Sequence, residues 1–232
     1  MFHIKICGIT TVEDARLVAL AGADAIGLNF FPPSPRFIEV STARQIIKGL
    51  PSHVKKVGLF VNATHEQISE IAQELSLDLI QLHGDEPPEF LRPIELPIMK
   101  AFRIDERGLQ PVVDFVIECR ALGRVPKLCL LDAFKTGQYG GTGVMLDWKK
   151  LATEISALSL QTAIDSHLFP PLILSGGLNS SNVAEAILTV RPVGVDTASG
   201  VESSPGRKDP TLVQAFVSSA KSALIQIDRY GQ

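Results

Sequence analysis

Apolar residues in this chain gather into short runs at regular intervals and seldom alternate with polar ones. Eight such runs recur: HIKIC (3–7), DAIGLNF (24–30), KKVGLFV (55–61), LDLIQLH (77–83), PIMKAF (97–102), KLCLLDA (127–133), PLILSG (171–176) and VGVDTAS (193–199). Continuous apolar stretches of this length are what parallel strands need when both faces of the sheet are covered. The segments between them carry helical period. The first helix is expected from Thr11 to Gly22, with Thr10 and Glu13 at capping-box spacing. Thr64 and Gln67 repeat that device ahead of Ile68, Ile71 and Leu75, which share one helical face. A helix is expected to start near Asp147. Asp209 and Pro210 open the last one, with Leu212, Val213, Phe216, Val217, Ala220 and Leu224 as its apolar stripe.

Strand and helix alternate from end to end without a composition break. The pattern therefore predicts one domain over residues 1–232, an α/β chain closed as a (β/α)8 TIM barrel. An open doubly wound sheet is the alternative that pattern alone leaves standing. Composition agrees with a globular protein: 45% of the 232 residues are hydrophobic and 20% charged. The formal net charge of −3 gives counterion-release binding to nucleic acid, or attraction to an anionic membrane, little to act on. Small-molecule partners fit better. Cys7, Cys119 and Cys129 are odd in number and lack CxxC or zinc-site spacing. Together with an N-terminus that lacks a signal or transit pattern, they lead to the expectation of a reducing, cytoplasmic setting. Monomer and homodimer are both open.

If eight parallel strands close into a barrel, their C-terminal ends meet at one rim. That rim collects Cys7, Asn29 with Arg36, Asn62, His83 and Asp85, Arg103, Asp132, Ser175 with Gly176 and Gly177, and Ser199, Gly200 and Glu202. Gly176 and Gly177 follow the seventh strand, and Ser199 and Gly200 the eighth. Backbone N–H groups in glycine turns after these two strands are a recurrent phosphate site on this fold, although such glycines also serve plain turns. Gly141, Thr142 and Gly143, in the longest loop, suggest a lid. An aspartate ending an apolar strand is costly unless it faces a polar rim, which marks Asp132 as functional. Arg36, on the proline-restricted loop PPSPRF, can clamp a carboxylate or phosphate, or simply be solvated. His83 and Asp85 can be catalytic or can simply order the fourth-strand turn, and the second is the expectation. Cys129, within a strand, reads as packing. Cys7, at a strand end beside glycine, can act as a base if its surroundings lower its pKa, and Lys5 shares its strand parity.

In this order, KICGIT, GLNFFPPSPRF, VGLFVN, QLHGDE, LLDAF followed by GGTG and LDW, LSGGLN, and GVDTASGVE leading to PGRKD resemble the blocks of the phosphoribosylanthranilate isomerases. The resemblance runs from Lys5 to Asp209. It implies a (β/α)8 barrel in tryptophan biosynthesis that works without metal or organic cofactor. The implied reaction converts N-(5-phosphoribosyl)anthranilate to 1-(2-carboxyphenylamino)-1-deoxyribulose 5-phosphate by an Amadori rearrangement. It aligns Cys7 with the general base and Asp132 with the general acid. Arg36 would hold the anthranilate carboxylate, and backbone around Gly177, Ser199 and Gly200 the phosphate. An acid–base pair needs its pKa values pushed apart, so an apolar or anionic environment is expected around Asp132. Two rivals differ in stated ways. A related phosphosugar isomerase of histidine biosynthesis would carry an aspartate where Cys7 stands. A silent phosphate-binding barrel would need neither Cys7 nor Asp132.

Overall fold

Each of the eight apolar runs contains a strand: β1 (Ile4–Cys7), β2 (Ala25–Asn29), β3 (Lys55–Phe60), β4 (Leu79–Leu82), β5 (Ile98–Ile104), β6 (Leu128–Ala133), β7 (Leu172–Leu174) and β8 (Gly194–Thr197). All neighbours are parallel, and β8 pairs back onto β1 to close a barrel in sequence order. The open-sheet alternative is excluded by that closure. The computed structural model describes residues 2–133, 146–161 and 169–230.

Strand parity divides the core into two layers. Inward-facing Ala25, Val57, Leu79, Met99, Ala101, Leu128, Leu130 and Ile173, with Phe2, fill the N-terminal half of the barrel. Outward-facing Ile4, Ile6, Ile26, Leu28, Phe60, Ile80, Leu82, Leu131, Leu174 and Val195 pack against the helices. Both faces of the sheet are thus buried, which is why the strands read as unbroken apolar runs.

The helical layer is α1 (Val12–Ala21), α2 (Val40–Lys48), α3 (His65–Leu75), α4 (Gln110–Ala121), α5 (Trp148–Gln161), α6 (Val183–Val190) and α7 (Pro210–Tyr230). The capping box on α3 forms as expected: Gln67 N–H donates to Thr64 Oγ1 and Thr64 N–H to Gln67 Oε1. Asp147 caps α5 through Lys150 N–H, and Asp209 caps α7 through Thr211 and Leu212 N–H. On α1 the cap is one residue later than expected. Thr11 Oγ1 accepts from Asp14 N–H, while Thr10 Oγ1 donates instead to the Gly206 carbonyl. On α7 the stripe is Val213, Phe216, Val217 and Ala220, all fully buried, with Leu224 partly so; Leu212 lies off it at 36% exposure.

One expected helix is missing. Between β4 and β5 the chain makes only a 3₁₀ turn, Pro88–Leu91, entered from Pro87 and followed by Pro93. Prolines remove the donors an α-helix would need there. After β8 a second 3₁₀ turn, Ser199–Val201, leads into a small antiparallel hairpin, β9 (Glu202–Ser204) and β10 (Arg207–Lys208). Among the described residues no helix is long and apolar enough to cross a membrane. The lid expected at Gly141, Thr142 and Gly143 lies outside the described residues.

Candidate active site

The C-terminal ends of the strands surround a cavity lined by Cys7, Arg36, His83, Asp132, Ser175, Gly176, Gly177, Asp196 and Ser199, among others. Cys7, the last residue of β1, is buried with Leu59 and Val61 in an apolar patch that Phe31 and Ala198 border. Two glycines make room for it. A Cβ on Gly27, its partner across β2, would sit 2.6 Å from the thiol sulfur. Gly8 turns away at φ +73°, and a Cβ there would lie 2.4 Å from Arg36 Cδ. The Cys-Gly step therefore lets the arginine fold over the strand end beside the thiol.

Lys5 sits one inward-facing position below Cys7. It is fully buried, and its Nζ donates to Asp196 Oδ1 at 2.8 Å and also reaches the Cys7 sulfur. Burial works against the Lys5 ammonium, but Asp196 and Cys7 outweigh it and hold its pKa above the ordinary lysine value. The thiol moves the other way from the sequence expectation. Burial pushes the Cys7 pKa up, and Lys5 and Lys208 oppose the rise without cancelling it, while Asp196 adds to it. Cys129 is inert packing, as expected, with burial raising its thiol as well.

Across the cavity Asp132, near the end of β6, is buried and accepts from Ala133 N–H at 2.9 Å. Its other oxygen lies 3.3 Å from His83 Nε2. The Gln81 amide nitrogen is 3.0 Å from His83 Nδ1. With that amide donating, Nδ1 accepts, which leaves the proton on Nε2, where it finds no hydrogen-bond partner among the described residues. His83 thus stands in the site and is not the turn-ordering residue the sequence suggested. Its inward parity with Gln81 was the available signal. Asp85 does stay in the turn: it is exposed, its N–H donates to Asn62 Oδ1 at 2.8 Å, and its carboxylate pairs with Arg103. Asp196, absent from the expected rim, also belongs to the cavity, hidden in sequence because it lies two residues inside the β8 run.

Beside Asp132, in the loop after β7, Gly176 and Gly177 both adopt left-handed backbone, with φ of +85° and +68°. A Cβ on Gly176 would lie 2.5 Å from Ala133 N. Gly177 O is held by Asn182 Nδ2 at 3.1 Å, and its N–H donates to no described residue. Thr197 Oγ1 donates to Leu178 O at 2.7 Å, joining the loops after β7 and β8. Ser199 lines the cavity, whereas Gly200 backs it: a Cβ on Gly200 would fall 1.9 Å from Leu178 O. Arg36 is ordered from its own loop. Asn29 Nδ2 donates to Ser34 Oγ at 3.0 Å and Arg36 N–H to the same oxygen at 3.1 Å. Its guanidinium forms a bidentate pair with Glu202, Nε–Oε1 2.8 Å and Nη2–Oε2 2.7 Å.

Two acids and bases facing each other, an arginine at one wall and glycine turns at another suit a substrate with two anionic ends and protons to move. Known proteins match the chain. Residues 4–219 fit the family model of N-(5'-phosphoribosyl)anthranilate isomerase. The isomerase of Geobacter sulfurreducens is 43% identical over 222 residues, covering 95% of this chain and 99% of that one. That of Trichlorobacter lovleyi is 44% identical over 225 residues, 97% and 100%. Among solved structures, phosphoribosylanthranilate isomerase from Thermotoga maritima superposes with TM-score 0.79 at 37% identity, covering 96% of this chain and all of that one. Another, in complex with reduced 1-(o-carboxyphenylamino)-1-deoxyribulose 5-phosphate, gives TM-score 0.76, also at 37% identity, with 96% and 100% coverage. By sequence over nearly its whole length and by the barrel that frames this cavity, the chain belongs to the N-(5'-phosphoribosyl)anthranilate isomerase family.

Proposed function

We propose that this barrel, acting as one catalytic domain over residues 1–232, isomerises N-(5-phosphoribosyl)anthranilate to 1-(2-carboxyphenylamino)-1-deoxyribulose 5-phosphate, with Cys7 as general base and Asp132 as general acid. The observation that carries the assignment is that these two groups, from β1 and β6, line one cavity between an arginine and a pair of glycine turns. Asp132 donates its proton to the furanose ring oxygen, and the ring opens to a Schiff base. The Cys7 thiolate then removes the C2 proton, and the resulting enolamine tautomerises to the ketose. The two proton transfers are separate tasks at separate atoms, which suits two groups held apart.

The remaining residues bind and orient. Arg36 takes the anthranilate carboxylate, and the aromatic ring packs on Phe31, Leu59 and Val61, the apolar patch that also buries Cys7. The phosphate docks on backbone around Gly176, Gly177, Ser199 and Gly200, the first two of them left-handed glycines of the kind that turn successive N–H groups toward an anion. His83, 3.3 Å from Asp132, is a natural partner for the carboxylate once it has given up its proton. Lys5 and Lys208 favour the thiolate of Cys7. Three free thiols support a cytoplasmic setting.

The test is turnover of phosphoribosylanthranilate by purified wild type, Cys7→Ala and Asp132→Asn. A general acid or base contributes roughly 10²–10⁴-fold, so each variant is expected to lose at least about two orders of magnitude in kcat. Near-normal turnover by either variant removes its assigned role. An inactive wild type would instead favour a silent phosphate-binding barrel.

A further inference from the structure

Glu202, in the segment GVESSPGRKD, has no part in the reaction just described, yet it opens hairpin β9–β10 against the cavity wall. The Glu202 and Lys208 side chains are only 4% and 0% exposed. Glu202 receives two hydrogen bonds from Arg36, and Lys208 Nζ donates to Glu202 Oε1 at 2.8 Å. The same ammonium donates to the carbonyl of Ala198 at 3.0 Å, immediately before Ser199. The hairpin is itself anchored to the loop after β1, through Thr10 to Gly206 O, and to α1, through Lys208 N–H to Asp14 Oδ2 at 3.3 Å. Burial alone would raise the Glu202 carboxyl, but Arg36 and Lys208 overrule it and hold its pKa below the ordinary value, so it is an anion.

Burial works against the Lys208 ammonium and pulls its pKa below the ordinary lysine value, with Glu202 opposing the fall. Glu202 occupies the Nε and Nη2 edge of the guanidinium, and Arg36 Nη1 donates to no described residue. A guanidinium has five N–H donors in a fixed plane, so fixing one edge fixes the direction of the other. We propose that Glu202 is a positioning residue for Arg36: it holds one edge of the guanidinium throughout turnover, so that the Nη1 end meets the substrate carboxylate. Lys208 ties that carboxylate clamp to the loop carrying Ser199, keeping the two anion sites at a fixed spacing. The inference rests on the isomerase reading and deepens it, because it makes the enzyme selective for an aromatic amine that bears a carboxylate. The opposite arrangement is that Glu202 is a stand-in which the substrate carboxylate displaces. The two differ in the sign of one measurement.

Glu202→Gln keeps the shape and removes the charge. The pairing predicts that KM for phosphoribosylanthranilate rises about tenfold while kcat stays within about twofold, as for lost binding equal in ground and transition states. Two inhibitors separate positioning from general damage: reduced 1-(o-carboxyphenylamino)-1-deoxyribulose 5-phosphate and its counterpart lacking the carboxylate. The first is expected to bind the variant about tenfold more weakly, and the second as tightly as it binds wild type. Glu202→Asp, which keeps the charge but not the reach, is expected to show the same discrimination at smaller amplitude, and it serves if the Gln variant does not fold. An unchanged or lower KM, or equal weakening of both inhibitors, overturns the inference while wild-type turnover still upholds the isomerase reading. A wild type that fails to turn over phosphoribosylanthranilate overturns both.

Discussion

At the scale of single residues, Cys7 is the place where burial and charge pull hardest against each other. Burial in the patch with Leu59 and Val61 disfavours the thiolate, and Lys5 and Lys208 favour it; the balance leaves the thiol pKa raised. A base must be deprotonated to act, so a raised pKa puts its active form on the alkaline side. The ultraviolet thiolate absorbance of wild type minus that of Cys7→Ala is therefore expected to rise with an inflection above the ordinary thiol value. An inflection at or below that value would show that Lys5 and Lys208 outweigh burial. Cys7 and Asp132 were legible in sequence because both end apolar strands, where an uncompensated polar group has no structural excuse. Lys5 was legible by parity. His83 was misread and Asp196 passed over for a shared reason. Their meaning lies in contacts with other strands, with Asp132 and Lys5, and no local pattern encodes a partner 49 or 191 residues away.

At the scale of elements, the strands were readable because each is buried on both faces, whereas the connections depend on tertiary substitutes. Where prolines displace the helix between β4 and β5, outward-facing Lys100 takes over the layer, donating to Gly84 O at 2.7 Å and Glu86 Oε2 at 2.9 Å. Glu86 in turn accepts from Asn62 N–H at 2.8 Å, tying the loops after β3 and β4 together. A buried lysine beside a 3₁₀ turn carries no periodicity, so sequence alone suggests another helix. The glycines of β2 and β3 give a contrast that can be tested. An alanine at position 27 meets Cys7 Sγ at 2.6 Å and Cys7 Cα at 3.0 Å, rigid backbone on the inner face. At position 58 the first obstacle is Leu77 Cδ1 at 2.4 Å, the far end of a flexible side chain on the outer face. Gly27→Ala is expected to lose both turnover and about 1–3 kcal/mol of stability. Gly58→Ala should keep kcat while it loses a smaller part of that stability. Steady-state rates and urea midpoints on the two variants check this, and equal loss of kcat in both would contradict it.

At the scale of the whole molecule, the barrel is a sheet that must find its own edge. Strand β1 begins at Ile4 and β8 ends at Thr197, so the closing pair joins nearly opposite ends of the chain in the register Ile4–Val195, Lys5–Asp196, Ile6–Thr197. A slip of one residue would exchange the inward and outward faces of β1, carrying Lys5 and Cys7 into the helical layer. Outward Ile4 and Ile6 oppose that slip by hydrophobicity, and inward Lys5 opposes it by charge, since among the described residues its ammonium finds a partner only in Asp196 and the thiol above it. The pair has side-chain exposures of 0% and 6%, deep enough that removing one member strands the other. Breaking a buried ion pair in this way costs about 3–5 kcal/mol, whereas replacing both members with neutral groups of similar shape is often close to neutral. Lys5→Met is therefore expected to lower the urea midpoint sharply, and Lys5→Met with Asp196→Asn to recover much of the loss. The recovery separates a register lock from simple packing, because the double variant removes more native contacts and yet should be the more stable of the two. Additive losses across the four proteins of the cycle would show that the seam is held by the isoleucines alone. A recovered midpoint should not bring recovered turnover, because Cys7 would then have lost both the ammonium that favours its thiolate and the carboxylate that held that ammonium in place.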